Sequence, residues 1–266
     1  MTIKENFMNW DNPGVALITG ASSGIGSEFA HQLAKQNFDL VLIARREKKL
    51  ETLQKELQKK FSVTVEILIA DLSKLIENEK IVSEILSLNN LDVLINNAGF
   101  GINNAFLKID LIRHIDMINV HYTSPVMFCH AAIPGMIKRN RGVIINTSST
   151  AAINKAQGSV MYTSTKTALT VFSELLQEKI KDTSVIIQSL CPGYTYSEFH
   201  DTKSMSGFQR DWFPKEAWMT AEKVVTLSLK AVKKNEVIFI PGDFNKTYVK
   251  KNREASLDQY LIGKRL

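Results

Sequence analysis

The segment Val15-Ala-Leu-Ile-Thr-Gly-Ala-Ser-Ser-Gly-Ile-Gly26 joins a short apolar run to a glycine-rich turn. A continuous apolar run of this length is typical of a strand that is covered on both faces. Gly20, Gly24 and Gly26 permit a tight turn and a close approach of the backbone to a ligand. A helix beginning after such a turn offers free N–H groups to a phosphate. The segment therefore predicts a nucleotide site, although its spacing is not G-x-G-x-x-G and a plain strand-to-helix turn is the alternative.

The same alternation continues along the chain. Short β-branched or aliphatic runs occupy residues 15–19, 40–44, 63–69, 91–95, 143–147, 185–190 and 237–240. Between them, apolar residues recur at helical spacing, as at Ile25, Phe29 and Leu33. This rhythm predicts an α/β fold: a doubly wound, Rossmann-type parallel sheet of about seven strands with helices on both faces. Because no Pro/Gly-rich linker divides the chain, we expect one domain over residues 1–266.

Composition places the chain among ordinary globular proteins. It has 266 residues, of which 44% are hydrophobic and 23% are charged. It has no apolar run of the roughly 20 residues that a membrane span needs, and residues 1–7 lack the apolar stretch of a signal peptide. The two cysteines, Cys129 and Cys191, suggest buried thiols in a reducing compartment. We therefore expect a cytoplasmic protein without integral membrane association.

The formal net charge of +6 is concentrated near the end of the chain. Residues 244–266 carry six Lys or Arg against two Asp or Glu. This basic extension is open to several interpretations: binding to an acidic partner, contact with a membrane surface, closure of the site, a role in assembly of an oligomer, or a solvated surface, which we favour. No zinc-finger spacing or RNA-binding aromatic motif accompanies it, so we expect no nucleic-acid partner. We expect no metal site either, because Glu28 and His31 have di-iron spacing without the second copy that such sites need.

The loop after the second predicted strand carries two arginines and no acid. NAD-binding folds usually place an acidic residue here to bond the ribose 2′-hydroxyl. Arg45 and Arg46 instead suit a phosphate, which a guanidinium binds by forked, charge-assisted hydrogen bonds. This favours NADP(H), and the alternative is that both arginines merely begin the helix 47–60. After the next strand, Asp71 could accept a hydrogen bond from adenine or cap the helix predicted over 73–88.

A tyrosine and a lysine lie one helical turn apart in Tyr162-Thr-Ser-Thr-Lys166. A phenol has an ordinary pKa of about 10. An ammonium group close to it favours the phenolate and lowers that pKa. A serine hydroxyl from a neighbouring strand, such as Ser149, could bond the same substrate oxygen. The group predicts proton transfer to a carbonyl or from an alcohol, although the isolated Tyr/Lys pair also occurs on solvated helix faces.

These motifs together resemble the short-chain dehydrogenase/reductase family, of the common type with roughly 250 residues, over nearly the whole chain. The motifs that match in order and spacing are Thr19-Gly-Ala-Ser-Ser-Gly-Ile-Gly26, Asp71, Asn96-Asn-Ala-Gly99, Asn119, Ser148-Ser149, Tyr162-Thr-Ser-Thr-Lys166 and Pro192-Gly193. The step of thirteen residues to Tyr162 favours Ser149 over Ser148 as the active serine.

The resemblance implies a catalytic set of Asn119, Ser149, Tyr162 and Lys166. Tyr162 is then the general acid or base, Lys166 lowers its pKa and holds the nicotinamide ribose, and Ser149 positions the substrate oxygen. Asn119, within a helix expected over about 109–137, would hold a water that links Lys166 to solvent. The predicted cofactor contacts are Gly20, Ser22, Ser23, Gly24, Ile25, Gly26, Arg45, Arg46, Asp71, Leu72, Asn97, Ala98, Gly99, Tyr162, Lys166, Pro192, Gly193 and Ser197.

The family's substrate lid corresponds to residues 197–218, which we call the lid segment. It is rich in aromatic side chains, which either contact an apolar or bulky carbonyl substrate or only anchor the loop. The sequence thus predicts an NADP(H)-dependent oxidoreductase, with a 3-oxoacyl-thioester reductase of lipid synthesis as an alternative. A catalytically silent nucleotide-sensing or scaffold protein is the alternative from another class. The family's habit of pairing two long helices implies a homodimer or homotetramer, and Val171, Phe172, Leu175 and Leu176 are candidate interface positions.

Overall fold

The computed structural model describes residue 8 and residues 10–154 and 160–261, with side chains described as far as residue 252. Predictions that concern residues 1–7, and the last five residues of the basic extension, therefore lie outside the described residues. The described residues form the strands β1 Val15–Thr19, β2 Asp39–Ala44, β3 Val65–Ile69, β4 Leu91–Asn96, β5 Gly142–Thr147, β6 Val185–Leu190, β7 Tyr194–Tyr196, β8 Trp218–Thr220 and β9 Ile238–Phe239.

Seven of these strands form one parallel sheet in the order β3-β2-β1-β4-β5-β6-β9. The predicted seven-stranded, doubly wound sheet is confirmed, with strand bounds within two residues of those expected. The order reverses between β1 and β4, and a ligand crevice is expected beyond the carboxyl ends of the strands at that point. Strands β7 and β8 form a separate parallel pair.

The α-helices in the described part of the chain are α1 Gly24–Ala34, α2 Glu47–Phe61, α3 Leu75–Ser87, α4 Leu111–Ile118, α5 Ser124–Lys138, α6 Ala151–Asn154, α7 Val160–Lys179, α8 Ala221–Val232 and, after the last strand, α9 Asp243–Leu261. The apolar sides of α1, α2 and α8 cover one face of the sheet, where Phe29, Leu50 and Val224 are fully buried. Helices α3, α5 and α7 cover the other face, through residues such as Ile81 and Phe128. Burial on both faces explains why the strands are continuously apolar.

The helix predicted over about 109–137 is interrupted in the middle. Helix α4 passes into a π-helical turn, Asn119–Thr123, before α5 continues to Lys138. Within this turn the backbone N–H of Ser124 bonds the carbonyl oxygen of Asn119, five residues back. Such π-turns are often found at functional sites, because the extra residue re-aims the side chains around it.

Helix α3 begins later than the sequence suggests. Its N-cap position is Lys74, so the alternative role of Asp71 as the helix cap is wrong. The loop turns first, because Asp71 accepts a hydrogen bond from the backbone N–H of Ser73 through its side chain and from Lys74 through its carbonyl oxygen. The Asp71 carboxylate therefore stays at the strand end.

The lid segment lies between β7 and β8, whose pairing brings its two ends together. It is built from short 3₁₀ turns rather than a long helix. Phe208, Phe213 and Trp218 pack around Tyr194, with ring centroids 4.1–6.1 Å apart. Most aromatic side chains of the lid segment therefore anchor it to the sheet.

Two further observations concern the class of protein. Cys129 and Cys191 are free and buried, in agreement with the expectation. In the part of the chain that the structure describes, no helix is long and apolar enough to cross a membrane.

Candidate active site

The turn between β1 and α1 fits the glycine pattern of the sequence. Gly20 has φ of +66°, a conformation that a side chain would strain, and an added Cβ would lie 2.8 Å from Cα of Ala98. A Cβ on Gly26 would collide with the carbonyl oxygen of Gly20 and the side-chain amide of Asn97. Ser22, Ser23 and Ile25 complete the turn. The turn therefore brings the start of α1 close to the end of β4.

Hydrogen bonds tie the end of β4 to this turn. The Thr19 hydroxyl oxygen accepts from the backbone N–H groups of Asn97, at 2.9 Å, and Ala98, at 3.0 Å. The Asn97 side chain donates to the carbonyl oxygens of Thr19 and Gly20. The two loops on either side of the switch point thus form one rigid unit. Asn97, Ala98 and Gly99 lie at the crevice predicted from the sequence.

Two adjacent serines at the end of β5 have different surroundings. Ser148 is buried, and its hydroxyl donates to the carbonyl oxygen of Lys166 at 2.9 Å and lies 2.7 Å from the Thr170 hydroxyl oxygen. Ser149 accepts from the backbone N–H of Ala151 and makes a side-chain hydrogen bond with Tyr162. Ser148 is thus held within the fold, and the geometry favours Ser149 as the serine that can reach a substrate oxygen.

The Tyr162 phenol lies between two aromatic rings. The ring of His121 meets it at a centroid distance of 5.5 Å, and the ring of Phe199 meets it at 6.0 Å. Burial raises the pKa of Tyr162 above its ordinary value, although the hydrogen bond with Ser149 acts in the opposite direction. The sequence predicts a lowered pKa for the Tyr162 phenol. When only the groups of the protein act on the phenol, that direction is wrong. Desolvation of the phenolate outweighs the hydrogen bond.

The Lys166 ammonium group lies 5.9 Å from the centroid of the Tyr162 ring. It donates to the carbonyl oxygen of Thr147 at 2.7 Å, at the end of β5. Burial lowers the pKa of Lys166 to about 8. The helical spacing does bring phenol and ammonium together, as the sequence predicts. Burial also removes the ammonium group from water, and this favours its neutral form.

Asn119 begins the π-helical turn, and its side chain bonds the loop after β3. Its side-chain N–H donates to the carbonyl oxygen of Ser73 at 3.0 Å, and its own carbonyl oxygen accepts from the Ser124 hydroxyl. These bonds fix the turn against the end of β3. The role expected of Asn119, holding a water near Lys166, stays a prediction.

His121 belongs to this site, and sequence reasoning missed it. Its ring is fully buried and lies between Phe100, after the Asn96-Asn-Ala-Gly99 motif, and Thr165, on the helix of Tyr162. Burial and the charge of Lys166 hold the pKa of His121 well below its ordinary value. No spacing in the sequence distinguishes this histidine, because its partners are brought together by the π-turn.

The two arginines after β2 are both paired with carboxylates. Arg45 lies 4.0 Å from Asp71, at the end of β3. Arg46 donates to the hydroxyls of Ser22 and Ser23 and to the carboxylate of Glu198. The sequence did not single out Glu198 or Lys49, which also pairs with that carboxylate. Of the two predicted phosphate ligands, Arg46 lies against the glycine-rich turn and Arg45 faces Asp71. Leu72 follows Asp71 with a buried side chain.

The remaining predicted contacts lie after β6. Pro192 is buried, and a Cβ on Gly193 would collide with the side chain of Asn245, from the start of α9. Ser197 follows β7 and accepts a hydrogen bond from the backbone N–H of Phe199. A Cβ built on Gly24 would lie 3.0 Å from that of Ser197. The lid segment thus begins against the glycine-rich turn.

The lid segment also closes over the loop after β4. The backbone N–H of Asn103 donates to the carbonyl oxygen of Ser204 at 2.8 Å. A Cβ added to Gly101 would lie 2.6 Å from the Met205 sulfur and 3.0 Å from the Phe199 ring. Phe199 therefore lies between this loop and Tyr162. The wall next to the phenol is apolar.

The arrangement can hold a dinucleotide and move a proton. Backbone N–H groups, two serine hydroxyls and two cations surround the turn where a phosphate would bind. A partly buried phenol, a serine hydroxyl and an ammonium group meet at the end of β5 and the start of α7. Among the described residues, no cluster of three or more His, Cys, Asp or Glu side chains could hold a metal ion.

Comparison with known proteins agrees with this geometry. Residues 14–206 match the family model for short chain dehydrogenase. The chain is 32% identical to the very-long-chain 3-oxoacyl-CoA reductase of Bos taurus over 71% of its length. It is 33% identical to the 17-beta-hydroxysteroid dehydrogenase type 3 of Danio rerio over 82% of its length. These matches span 61% of the bovine protein and 69% of the fish protein, so the chain covers only part of the reductase's length.

A solved structure extends the comparison to the fold. The short-chain dehydrogenase from Sphingobium yanoikuyae in complex with NADPH superposes with a TM-score of 0.82. It is 26% identical to this chain, and the superposition covers 96% of both chains. The resemblance suggested by the motifs is therefore supported along almost the entire length.

Proposed function

Because the chain belongs to the short-chain dehydrogenase family, we propose that it is an NADP(H)-dependent oxidoreductase that interconverts a carbonyl compound and an alcohol. The observation that carries this proposal is the meeting of Ser149, Tyr162 and Lys166 beside the dinucleotide crevice. A binding protein without catalysis has no need of a partly buried phenol whose hydrogen-bond partner, Ser149, is also exposed enough to reach a substrate oxygen.

In the proposed reaction Tyr162 is the group that exchanges a proton with the substrate. During reduction its hydroxyl gives a proton to the carbonyl oxygen, while Ser149 donates a hydrogen bond that positions that oxygen. The bound cofactor supplies the hydride for the carbonyl carbon. During oxidation the phenolate takes the proton of the alcohol. Lys166, whose pKa lies at about 8, can carry charge near the phenol at neutral pH and return a proton to it.

The preference for NADP(H) rests on the residues around Ser22. Arg46 and Lys49 are cations within reach of one anionic group, and the hydroxyls of Ser22 and Ser23 add donors. Forked hydrogen bonds from a guanidinium suit a phosphate better than a ribose hydroxyl. The relative from Sphingobium yanoikuyae, which was solved with NADPH, supports the same choice.

We propose an apolar or bulky carbonyl substrate. Phe199 lies against the Tyr162 ring, and Met205 lies beside Gly101 at the same wall. Pockets of this type bind ligands through apolar walls and a few placed polar groups. A ketone on a large hydrophobic skeleton would fit such a wall.

A 3-oxoacyl thioester is the second candidate substrate. The similarity to the bovine very-long-chain 3-oxoacyl-CoA reductase favours it, because the substrate named for that enzyme has a carbonyl on a long acyl chain. The two candidates share the same proton chemistry and differ in what the lid segment must accommodate.

A silent nucleotide-binding or scaffold role is the third candidate. The presence of all four residues of the expected catalytic set, Asn119, Ser149, Tyr162 and Lys166, argues against it.

We propose that the protein forms a homodimer or homotetramer. Tyr122, Val171, Phe172, Leu175 and Leu176 line an apolar groove along α7, where Leu175 is 66% exposed. Leu111 and Ile112, on α4, are also exposed apolar side chains. Contiguous apolar surface of this kind usually marks a contact with another chain.

The cytoplasmic location expected from the sequence stays a prediction.

The proposal is tested with a panel of carbonyl compounds. Bulky ketones, aldehydes and 3-oxoacyl thioesters would be assayed with NADPH and NADH by nicotinamide absorbance. We expect turnover with NADPH of at least one apolar ketone or thioester, and the preferred group decides between the two substrate classes. Binding of NADPH without turnover of any member would favour the silent alternative, and absence of binding would contradict the cofactor assignment.

A further inference from the structure

One carboxylate of the lid segment pairs with two cations of the cofactor crevice. Oε2 of Glu198 accepts a hydrogen bond from Nη1 of Arg46 at 2.6 Å, and Oε1 accepts one from the ammonium group of Lys49. The same guanidinium donates to the hydroxyls of Ser22, at 2.8 Å, and Ser23, at 2.6 Å, on the glycine-rich turn. A carboxylate, two cations and two hydroxyls therefore form one cluster that joins β2, α2, the turn and the lid.

The donors of this cluster form a phosphate-binding set. A guanidinium, an ammonium group and two hydroxyls can satisfy several oxygens of a phosphate, which carries about −1.5 to −2 charges near neutral pH. In this structure the negative charge comes from within the chain, because each oxygen of Glu198 takes one cation. An anion that binds the same cations has to displace Glu198 from them or share them with it.

We propose that Glu198 is a specificity-determining residue for the cofactor, because its carboxylate competes with the 2′-phosphate of NADP(H) for Arg46 and Lys49. The inference rests on the proposed function, since it requires that NADP(H) binds in this crevice. Glu198 then lowers the affinity for the phosphorylated cofactor and leaves the affinity for NAD(H), which lacks that phosphate, nearly unchanged. It sets the ratio between the two cofactors.

The backbone holds Glu198 in place for this competition. Ser197, directly before it, packs against Gly24, and Ser197 also caps the 3₁₀ turn Glu198–Asp201. A competitor fixed within the chain acts at a high effective concentration, because no translational freedom is lost when it binds. A loose surface carboxylate would compete far less.

Glu198 is ionised under all ordinary conditions. Hydrogen bonds from Lys49 and Arg46 hold the pKa of its carboxyl at about 2. Its pairs are about half exposed, so salt screens them and each contributes modestly. The competition should therefore be strongest at low ionic strength and insensitive to pH near neutrality.

The test compares the binding of two cofactors to the intact protein. Wild type and Glu198→Gln would be titrated with NADPH and NADH by nicotinamide fluorescence at low and high salt, and with adenosine 2′,5′-bisphosphate by calorimetry. Two weak ion pairs together are worth about a factor of ten in affinity. We expect Glu198→Gln to tighten NADPH and the bisphosphate by about tenfold at low salt, and to change NADH less than about threefold.

Two matched variants separate this effect from a general change of charge. Glu51→Gln removes the same charge from the exposed side of α2. Among the described residues, no hydrogen bond or ion pair joins Glu51 to Arg46 or Lys49. This variant should therefore keep the ratio of NADPH to NADH affinity near that of wild type. Lys49→Gln should weaken NADPH several-fold more than NADH, since it removes a ligand of the phosphate. Thermal melting of each variant checks that the fold is retained.

The outcomes separate this inference from the proposed function. If wild type binds NADPH but Glu198→Gln leaves the ratio of NADPH to NADH affinity unchanged or lowers it, Glu198 only anchors the lid and the inference is wrong. Equal tightening by Glu51→Gln would also overturn it, because net charge would then explain the result. If neither protein binds NADPH, the proposed cofactor fails and the inference fails with it.

Discussion

The imidazole of His121 meets the phenol ring of Tyr162 edge-on, with ring centroids 5.5 Å apart. Its Nε2 accepts the backbone N–H of Phe100, so Nδ1 carries the proton and donates to the Thr165 hydroxyl oxygen. The Thr165 hydroxyl can then donate its own hydrogen to the carbonyl oxygen of Met161. One neutral tautomer therefore connects the loop after β4 to the helix of Tyr162, and burial keeps it neutral.

Loss of this connection should affect both stability and catalysis. In His121→Phe the N–H of Phe100 loses its acceptor at a part-buried site, which costs about 1–3 kcal/mol. We expect a lower melting temperature and a fall in kcat, since a ring without these two hydrogen bonds is no longer held in position beside Tyr162. Calorimetry and steady-state kinetics measure both effects. Tyr122→Phe, one residue further on, is the matched control, and unchanged values in His121→Phe would show that the ring only fills space.

The parts of this structure that sequence predicts are those with local signals. Continuous apolar runs gave the seven strands, and the glycine turn was recognised because its backbone needs residues without side chains. The helical spacing of Tyr162 and Lys166 placed both groups correctly. The predicted direction of the Tyr162 pKa was wrong, because burial depends on packing from residues far away in the chain, such as Phe199.

Contacts between distant residues could not be predicted in this way. His121 gains its partners only because the π-turn and the loop after β4 meet in space. Glu198 lies 152 residues beyond Arg46, and nothing in the sequence links the two. Similarly, the lid aromatics left two possibilities open, and the fold assigns Phe213 and Trp218 to anchoring and Phe199 to the wall beside Tyr162.

Removal of the phenol hydroxyl should abolish turnover. Tyr162→Phe keeps the ring and its packing, and loses only the proton that the proposed reaction moves. We expect kcat to fall more than about a hundredfold while NADPH binding changes little, in line with the usual contribution of a general acid. Initial rates and fluorescence titration measure the two quantities. A rate within about tenfold of wild type, equivalent to roughly 1.4 kcal/mol of barrier, would exclude Tyr162 as the acid.

The two reaction directions should respond oppositely to pH. Because burial raises the pKa of Tyr162, the protonated acid needed for reduction persists through neutral pH. Reduction should therefore stay nearly constant to about pH 8 and fall above it, because Lys166, which returns the proton to the phenol, loses its charge there. Oxidation needs the phenolate, so its kcat/KM should rise with pH. Rate profiles in both directions test this, and a fall in reduction already between pH 6 and 7 would contradict it.

A single charge on α7 should separate the proposed oligomer. Leu175 is 66% exposed and lines the apolar groove, so Leu175→Glu should not harm the folded monomer. A charge buried in a subunit contact without a partner would weaken assembly strongly. Light scattering should show an oligomer for wild type and a smaller mass for the variant, whereas Leu86→Glu, equally exposed on α3, should assemble normally. A monomer mass for wild type at micromolar concentration would refute the oligomer.

The choice of cofactor should be reversible by changing the end of β2. The triple variant Ala44→Asp, Arg45→Gln, Arg46→Gln places a carboxylate where NAD-binding folds carry one and removes both guanidinium groups. NADPH should bind at least about tenfold more weakly, because the phosphate loses charge-assisted bonds and meets a negative charge. NADH should bind as well as before or better, since a carboxylate accepts from two ribose hydroxyls. The difference should shrink at high salt, which screens these partly exposed charges.

Fluorescence titrations of the wild type and the triple variant with NADPH and with NADH measure these four affinities. If wild type binds NADH as tightly as NADPH while Glu198→Gln does too, Arg45 and Arg46 are surface charges and the NADP(H) assignment is wrong.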